Sequence, residues 1–272
     1  MFRKILWYLV LLFAFPAFLF TGYAANSKPV VNATAAVLIE HATGKMLYAK
    51  NSDMIMAPAS TTKIMTAIIG IEKGKLDQPV VVSATAASKA GSSMYLVQNE
   101  KLTLKDLLYG LLMVSGNDAA TAIAEHIAGS ESKFAEMMTA KARSLGLKHT
   151  QFKNSSGLPA RNHYTTAYDL AMIARYALQN TLFSQIVKTK VATVPSYKKG
   201  ETQQLINHNK LLWRYPYTTG IKTGYTAKAG RCLVASAKRD NITLIAVVLK
   251  SSTIYTDSKK LFEYGFKRLG KS

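Results

Sequence analysis

Hydrophobic and polar positions along the chain fall into three blocks. Two strand-like runs, TAAVLIEH and KMLYAK, lie either side of Ala42-Thr43-Gly44 and predict a hairpin. From about Ser60 the pattern changes: APASTTKIMTA runs into IIGIE, with Ile64, Met65, Ala67, Ile68, Ile69 and Ile71 apolar on nearly every side of a helix. A helix apolar all round is buried in the middle of a domain. After a connecting stretch comes a dense helical block: TLKDLLYGLLMV, a break at Ser115-Gly116, DAATAIAEHIA and ESKFAEMMTAKARSLG. In the last of these Phe134, Met137 and Met138 recur at helical spacing as core positions, and Gly146 is a plausible stop. Residues 153–164, rich in Asn, Ser and Gly, predict a loop, and TTAYDLAMIARYAL resumes a helix. Beyond about residue 190 strands return as VATV, GIKTGYT, RCLVASAK and NITLIAVVLK. Arg239-Asp240-Asn241 makes a tight turn between the last two, and residues 256–269 close with a helix.

Strands first, helices in the middle and strands last predict an α+β domain. Its antiparallel sheet is built from both chain ends, with helices packed on it and the helical block as a subdomain. A cleft between that block and the sheet is the expected place for a site. The 272 residues, 49% apolar, suffice for one large domain or two ordinary ones, and no linker composition argues for two. Arg3 and Lys4, an uncharged run from Ile5 to Phe20, and Gly22-Tyr23-Ala24 have the layout of a secretory signal cleaved after Ala24. The mature chain is then 25–272. Pro16 interrupts a run already short of the roughly 20 apolar residues a spanning anchor needs.

Export sets the context for Cys232, the single cysteine, which has no partner within the chain; its alternating surroundings predict a buried structural thiol. The net charge of +20 falls to +18 without Arg3 and Lys4. A basic exported protein meets phosphate polymers, an anionic membrane face or acidic wall material, or simply carries a solvated basic face. The basic residues are scattered, with short pairs such as Lys198-Lys199 and Lys259-Lys260 and no recognition motif, which argues against nucleic acid. Five histidines lack metal-ligand spacing, no H-E-x-x-H occurs and no cofactor motif is present; G-x-S-x-G is also missing.

The chemistry gathers in three short elements: Ser60-Thr-Thr-Lys63, Ser115-Gly-Asn117 and Lys222-Thr-Gly224. Each alone is a weak signal. In this order they match the S-x-x-K, serine-x-asparagine and K-T-G signature of penicillin-binding proteins and class A β-lactamases. With AAVLIEHATGKMLYAKN, APASTTKIMTA, VSGNDAA, SSGLP followed by HYTTAYDLA, GIKTGYTAKAG and LFEYGF, the chain resembles the low-molecular-mass D-alanyl-D-alanine carboxypeptidases, serine penicillin-binding proteins of the S11 peptidase type, over about residues 33–268.

A serine hydroxyl is a poor nucleophile until a base takes its proton. Lys63, one helical turn beyond Ser60, serves if burial and a second cation, Lys222, lower its proton affinity. The first helical turn also points free N–H groups at the nucleophile. Ser115 is the candidate proton relay between Lys63 and the departing amine. Asn117 can accept from an ammonium and donate to a substrate carbonyl; capping the following helix is the plainer reading of both residues. The resemblance implies that Lys222 and Thr223, placed at the start of an edge strand, bind the substrate's terminal carboxylate. It also implies that the oxyanion hole is formed by the backbone N–H groups of Ser60 and Tyr225, with Gly224 allowing close approach. Asp169 reads as stabilising a helix start.

The resemblance implies removal of the terminal D-alanine from peptidoglycan stem pentapeptides through an acyl-Ser60 intermediate, with β-lactams as acylating inhibitors. A class A-like β-lactamase is the nearest alternative. It adds a water-activating glutamate after the serine-x-asparagine element, whereas residues 137–168 hold no carboxylate and the element reads Ser-Gly-Asn. A D,D-endopeptidase would use the same machinery, and a catalytically idle wall-binding protein is the alternative of a different class. The chain ends soon after LFEYGF, where many members continue into a β-rich domain and an amphipathic anchor. SKKLFEYGFKRLG is read as a helix packed on the sheet, and the expected product as released or wall-associated.

Overall fold

The structure, a computed structural model, describes residues 27–196 and 200–270; the predicted signal segment and Lys198-Lys199 lie outside them. Strands β1 (Ala35–Glu40) and β2 (Met46–Lys50) form the expected hairpin. A 3-10 turn, Ala59–Thr62, then winds into α1 (Lys63–Lys73), so the buried helix begins with a tighter turn at Ser60 and becomes regular only at Lys63. The connecting stretch holds β3 (Pro79–Val81), α2 (Ala84–Ala87) and β4 (Lys101–Thr103), with β3 paired to β4. These were not expected, being too short to carry a period.

The helical block is α3 (Leu104–Met113), α4 (Asn117–Ala128) and α5 (Glu131–Ser144), and the resumed helix is α6 (Ala167–Ala177). Thr103 and Asp106 cap α3 reciprocally, and Ser130 and Thr166 cap α5 and α6. A further helix, α7 (Thr181–Lys188), stands where the sequence pattern gave none, its eight residues being fewer than periodicity needs. VATV becomes β5 (Val191–Pro195), but it pairs with β6 (Thr202–Ile206) in a separate two-stranded ribbon. Within β5 only Val194 is buried, so this strand could not serve a sheet covered on both faces. A short α8 (Leu211–Arg214) precedes β7 (Thr218–Thr226), β8 (Gly230–Arg239) and β9 (Ile242–Leu249), and α9 (Ile254–Arg268) follows.

The main sheet runs β2-β1-β9-β8-β7 and is antiparallel throughout, so both chain ends build it. Alternate residues of each strand point to opposite faces. Val37, Ile39, Val234, Ile245 and Val247 face the helices, whereas Ala36, Leu38, Leu233 and Ala246 face Phe262 and Phe266 of α9. Burial on both faces explains the continuous apolar runs AVLI and LIAVVL. LFEYGF thus packs on the sheet. Strand β7 is the sheet edge, and Lys222-Thr-Gly224 sits midway along it, a correction to its expected place at a strand start.

Candidate active site

The 3-10 turn, α4 and β7 meet around one buried amine. Lys63 is fully buried, and its Nζ has three polar neighbours: Ser60 Oγ at 3.2 Å, Asn117 Oδ1 at 2.6 Å and the Ser156 carbonyl at 2.7 Å. Two of the three are carbonyl oxygens, which can only accept. Ser60 alone can donate. A neutral amine that gives its two N–H bonds to Asn117 and Ser156 is therefore left with its lone pair toward the Ser60 hydroxyl. Burial, and then the nearby charge of Lys222, hold Lys63 well below the ordinary lysine range, opposed by the carboxylates of Asp118 and Glu131.

Asn117 opens α4, but Gly116 is the cap residue and no side chain caps this helix. The capping reading therefore fails for Asn117. Its Nδ2 donates to the Ala90 carbonyl at 2.7 Å and its backbone N–H to Ser92 at 2.7 Å, which commits one amide hydrogen. Ser115, just before, is 4% exposed with φ +65°, a left-handed conformation that costs a non-glycine residue about 1 kcal/mol. Among the described residues no hydrogen bond joins its hydroxyl to Lys63 or Ser60; the two serine hydroxyls share a cavity instead.

Strand β7 lies hard against the turn that carries Ser60. A Cβ on Gly224 would fall 2.9 Å from Ser60 N and 3.1 Å from both Ala59 Cβ and Thr61 N, which only glycine avoids. The contact brings the strand against the nucleophile's own amide, and Tyr225, the next residue, lines the same cavity as Ser60. Lys222 is 1% exposed and donates to the Thr223 carbonyl at 3.0 Å, with no carboxylate partner among the described residues. Burial pushes its ammonium down to about 7.

A cavity of about 640 Å³ opens on Ser60, Ser115, Thr223, Gly224 and Tyr225 and extends past His208 to Arg231, with no acidic residue in its lining. Arg231 lies opposite Tyr225 on the neighbouring strand. The sequence reading missed His208, Arg231 and the Ser156 carbonyl. It also missed Asp118, fully buried and accepting from Ser93 Oγ and the backbone of Met94 and Leu96, an arrangement that fixes the wall beside Asn117. An acid in a buried helix start was the available signal. Asp169 stands apart from the site: its carboxylate accepts from the His149 N–H and Thr150 Oγ1, so it ties the start of α6 to the preceding loop. Cys232 is buried, and burial raises its thiol to about 11, as expected of a structural thiol. Among the described residues no cluster of three His, Cys, Asp or Glu side chains could hold a metal ion.

A serine, a buried amine aimed at it and a glycine-lined strand edge make a device for acyl transfer through serine. Comparison with known proteins agrees. The peptidase S11, D-alanyl-D-alanine carboxypeptidase, family matches residues 23–253. The carboxypeptidase DacF of Bacillus subtilis is 44% identical over 253 residues, which cover 90% of this chain and 64% of the relative's length. The D-alanyl-D-alanine carboxypeptidase of Streptomyces sp. strain K15 is 34% identical over 90% of this chain and 91% of its own. The crystal structure of the Streptomyces K15 DD-transpeptidase superposes with a TM-score of 0.84 at 33% identity, covering 89% of this chain and 99% of that one. The chain belongs to the peptidase S11 family of D-alanyl-D-alanine carboxypeptidases.

Proposed function

We propose that this chain is a serine D-alanyl-D-alanine carboxypeptidase that removes the terminal D-alanine from peptidoglycan stem pentapeptides. The observation that carries the reading is the Lys63 amine, held by two acceptors and open only toward Ser60. Lys63 takes the hydroxyl proton as Ser60 Oγ attacks the penultimate carbonyl. Negative charge then develops on that oxygen between the N–H groups of Ser60 and Tyr225. Collapse breaks the peptide C–N bond, and the leaving amine takes the proton from Lys63 by way of Ser115, leaving acyl-Ser60. Lys63 then draws a proton from water, which attacks the ester and frees the serine. The Lys222 ammonium and the Thr223 hydroxyl hold the terminal carboxylate.

A β-lactam acylates Ser60 by the same attack, and its leaving nitrogen stays tethered in the site. Rapid hydrolysis of that adduct, as in a class A-like β-lactamase, lacks its carboxylate: residues 137–168 contain none, and Glu131 is engaged by Lys89 and Ser155. An amine in place of water would give transpeptidation, and a cross-linked stem as substrate would give endopeptidase action, both from the same acyl-enzyme. The domain is proposed to act as residues 25–272 outside the cytoplasm, on the leader pattern of residues 1–24, with the +18 charge that remains without Arg3 and Lys4 favouring acidic wall polymers.

The test is intact-mass spectrometry with benzylpenicillin beside Ser60→Ala, followed by assay of D-alanine release from a stem pentapeptide. A stable adduct absent from the variant, with D-alanine released by the wild type, supports the assignment. Penicillin consumed without a lasting adduct points to a β-lactamase. Neither adduct nor consumption leaves a non-catalytic wall-binding protein.

A further inference from the structure

The loop at residues 153–164 is fastened onto the nucleophile turn by a histidine that the reaction does not use. His163 is 6% exposed and packs edge-on against Phe152, with ring centroids 5.7 Å apart. Its Nδ1 accepts from the Lys153 N–H at 3.3 Å, so the ring proton belongs on Nε2, which lies 3.0 Å from Thr62 Oγ1 and donates to it. Thr62 is fully buried in the turn between Ser60 and Lys63. Within the same loop, Gly157 lies so close to that turn that a Cβ would fall 1.8 Å from the Ala59 carbonyl oxygen. Ser156 supplies the carbonyl on Lys63 Nζ, and the Ser155 carbonyl accepts from Thr66 Oγ1 at 2.6 Å. The loop is thus both an acceptor for the base and the lid that keeps water from it.

We propose that His163 is a positioning residue for the base: its Nε2–H bond to Thr62 clamps the 153–164 loop shut over Lys63, holding the Ser156 carbonyl in place and the amine dry. This rests on Lys63 being the base of the proposed reaction. The ring is suited to a fixed donor role. Burial pushes it down to about 4 against the opposing field of Glu131, so it stays neutral through the working range. The charged groups acting on Lys63 are Lys222, which lowers it, and Asp118 and Glu131, which raise it; Lys228 lines a small cavity with His163 beside Leu158 and Ala160.

The prediction follows from what desolvates Lys63. Opening the loop admits water, and loss of the largest lowering cause moves Lys63 toward its ordinary lysine value. The base must be neutral, so acylation then needs a higher pH. The experiment measures single-turnover acylation by benzylpenicillin from pH 5 to 9 in the wild type, His163→Ala and His163→Gln, with circular dichroism on each. Expected is a loss of about tenfold at neutral pH in His163→Ala, as for a lost buried hydrogen bond, with the pH of half-maximal acylation moved upward. His163→Gln, which keeps an N–H donor, recovers most of both. An unmoved pH midpoint in His163→Ala, or a Gln variant as impaired as the Ala variant, overturns the proposal. If His163→Ala fails to fold, Thr62→Val removes the same bond from the other side and must shift the midpoint likewise. A wild type that forms no Ser60 adduct would instead sink the carboxypeptidase reading itself.

Discussion

Replacing Lys222 by methionine should stabilise the protein while weakening its grip on substrate. The Lys222 ammonium is buried, and among the described residues it lacks a carboxylate and donates to a single carbonyl, that of Thr223. Burial places its folded value at about 7, against 10.5 ordinarily. Between those values the unfolded chain binds more proton than the folded one, so wild-type stability rises with pH across that window and is flat below it. At pH 7 the penalty is about 4 kcal/mol, at about 1.4 kcal/mol per pH unit. Methionine of similar volume removes the penalty, and loss of the hydrogen bond to Thr223 returns about 1 kcal/mol. The net gain near neutrality is then about 3 kcal/mol, or a rise in Tm of roughly 5 to 10 °C for a domain of this size. Denaturant titrations of both proteins at pH 7 and pH 9.5 should show the gain shrinking at the higher pH, with KM for a stem pentapeptide raised throughout. A variant less stable at pH 7, or a gain that ignores pH, would refute the picture of Lys222 as a desolvated, unpaired cation.

Gly224→Ala puts a methyl group 2.9 Å from Ser60 N and should slow penicillin acylation by about 10²-fold or more while the fold persists; unchanged rates would mean that the nucleophile turn has room to retreat. Asn117→Ala strips one of the two carbonyl acceptors from Lys63 and the tie to Ala90, and should lower acylation by about 10²-fold in stopped-flow assays, with a milder effect on stability. Arg231→Ala removes an exposed cation facing Tyr225 across the strand pair. Its expected signature is a rise in KM of up to about fivefold with kcat unchanged, the measure of a solvated charge; a fall in kcat alone would place Arg231 closer to the reacting atoms.

What the sequence disclosed and what it hid divide along a physical line. Ser60 and Lys63 were readable because three residues along a helix stack two side chains on one face, and the surrounding Ile and Met demanded burial. The sheet was readable because β1, β8 and β9 carry buried apolar runs and β2 follows β1 across a turn. Hidden were the contacts made by backbone: the Ser156 carbonyl on Lys63 is an oxygen that every residue possesses, and no residue type announces it. The link from His163 to Thr62 spans 101 positions and needs the closed fold to exist. Helix α7 and strand β6 escaped for a third reason, since elements of eight and five residues give a period little length to register; VATV was read as a strand, but nothing in it disclosed its pairing in a separate ribbon. Lys222-Thr-Gly224 was placed early on its strand because the run was read from Gly220, whereas the pairing reaches back, past a register shift between Thr218 and Gly220, to Thr218.

The two lysines explain why the site is assembled from separate layers. Lys63 comes from the helical layer and Lys222 from the sheet edge, so each reaches the cleft without a carboxylate of its own. Two buried ammonium groups cannot both be held cheaply, and the charge of Lys222 is itself one of the causes that lowers Lys63. Their surroundings differ in what they accept. Lys63 faces two carbonyls and a hydroxyl able to donate, whereas Lys222 has one carbonyl and lies beside Thr223 at the open cavity. A substrate carboxylate arriving at Thr223 and Lys222 favours the proton there and pairs it with an anion. The proton that leaves Ser60 then has one buried amine to go to. Environments that push two like groups toward different protonation states divide the labour between them: in the proposed reaction Lys222 keeps its proton to anchor the substrate, and Lys63 gives its own up to serve as base.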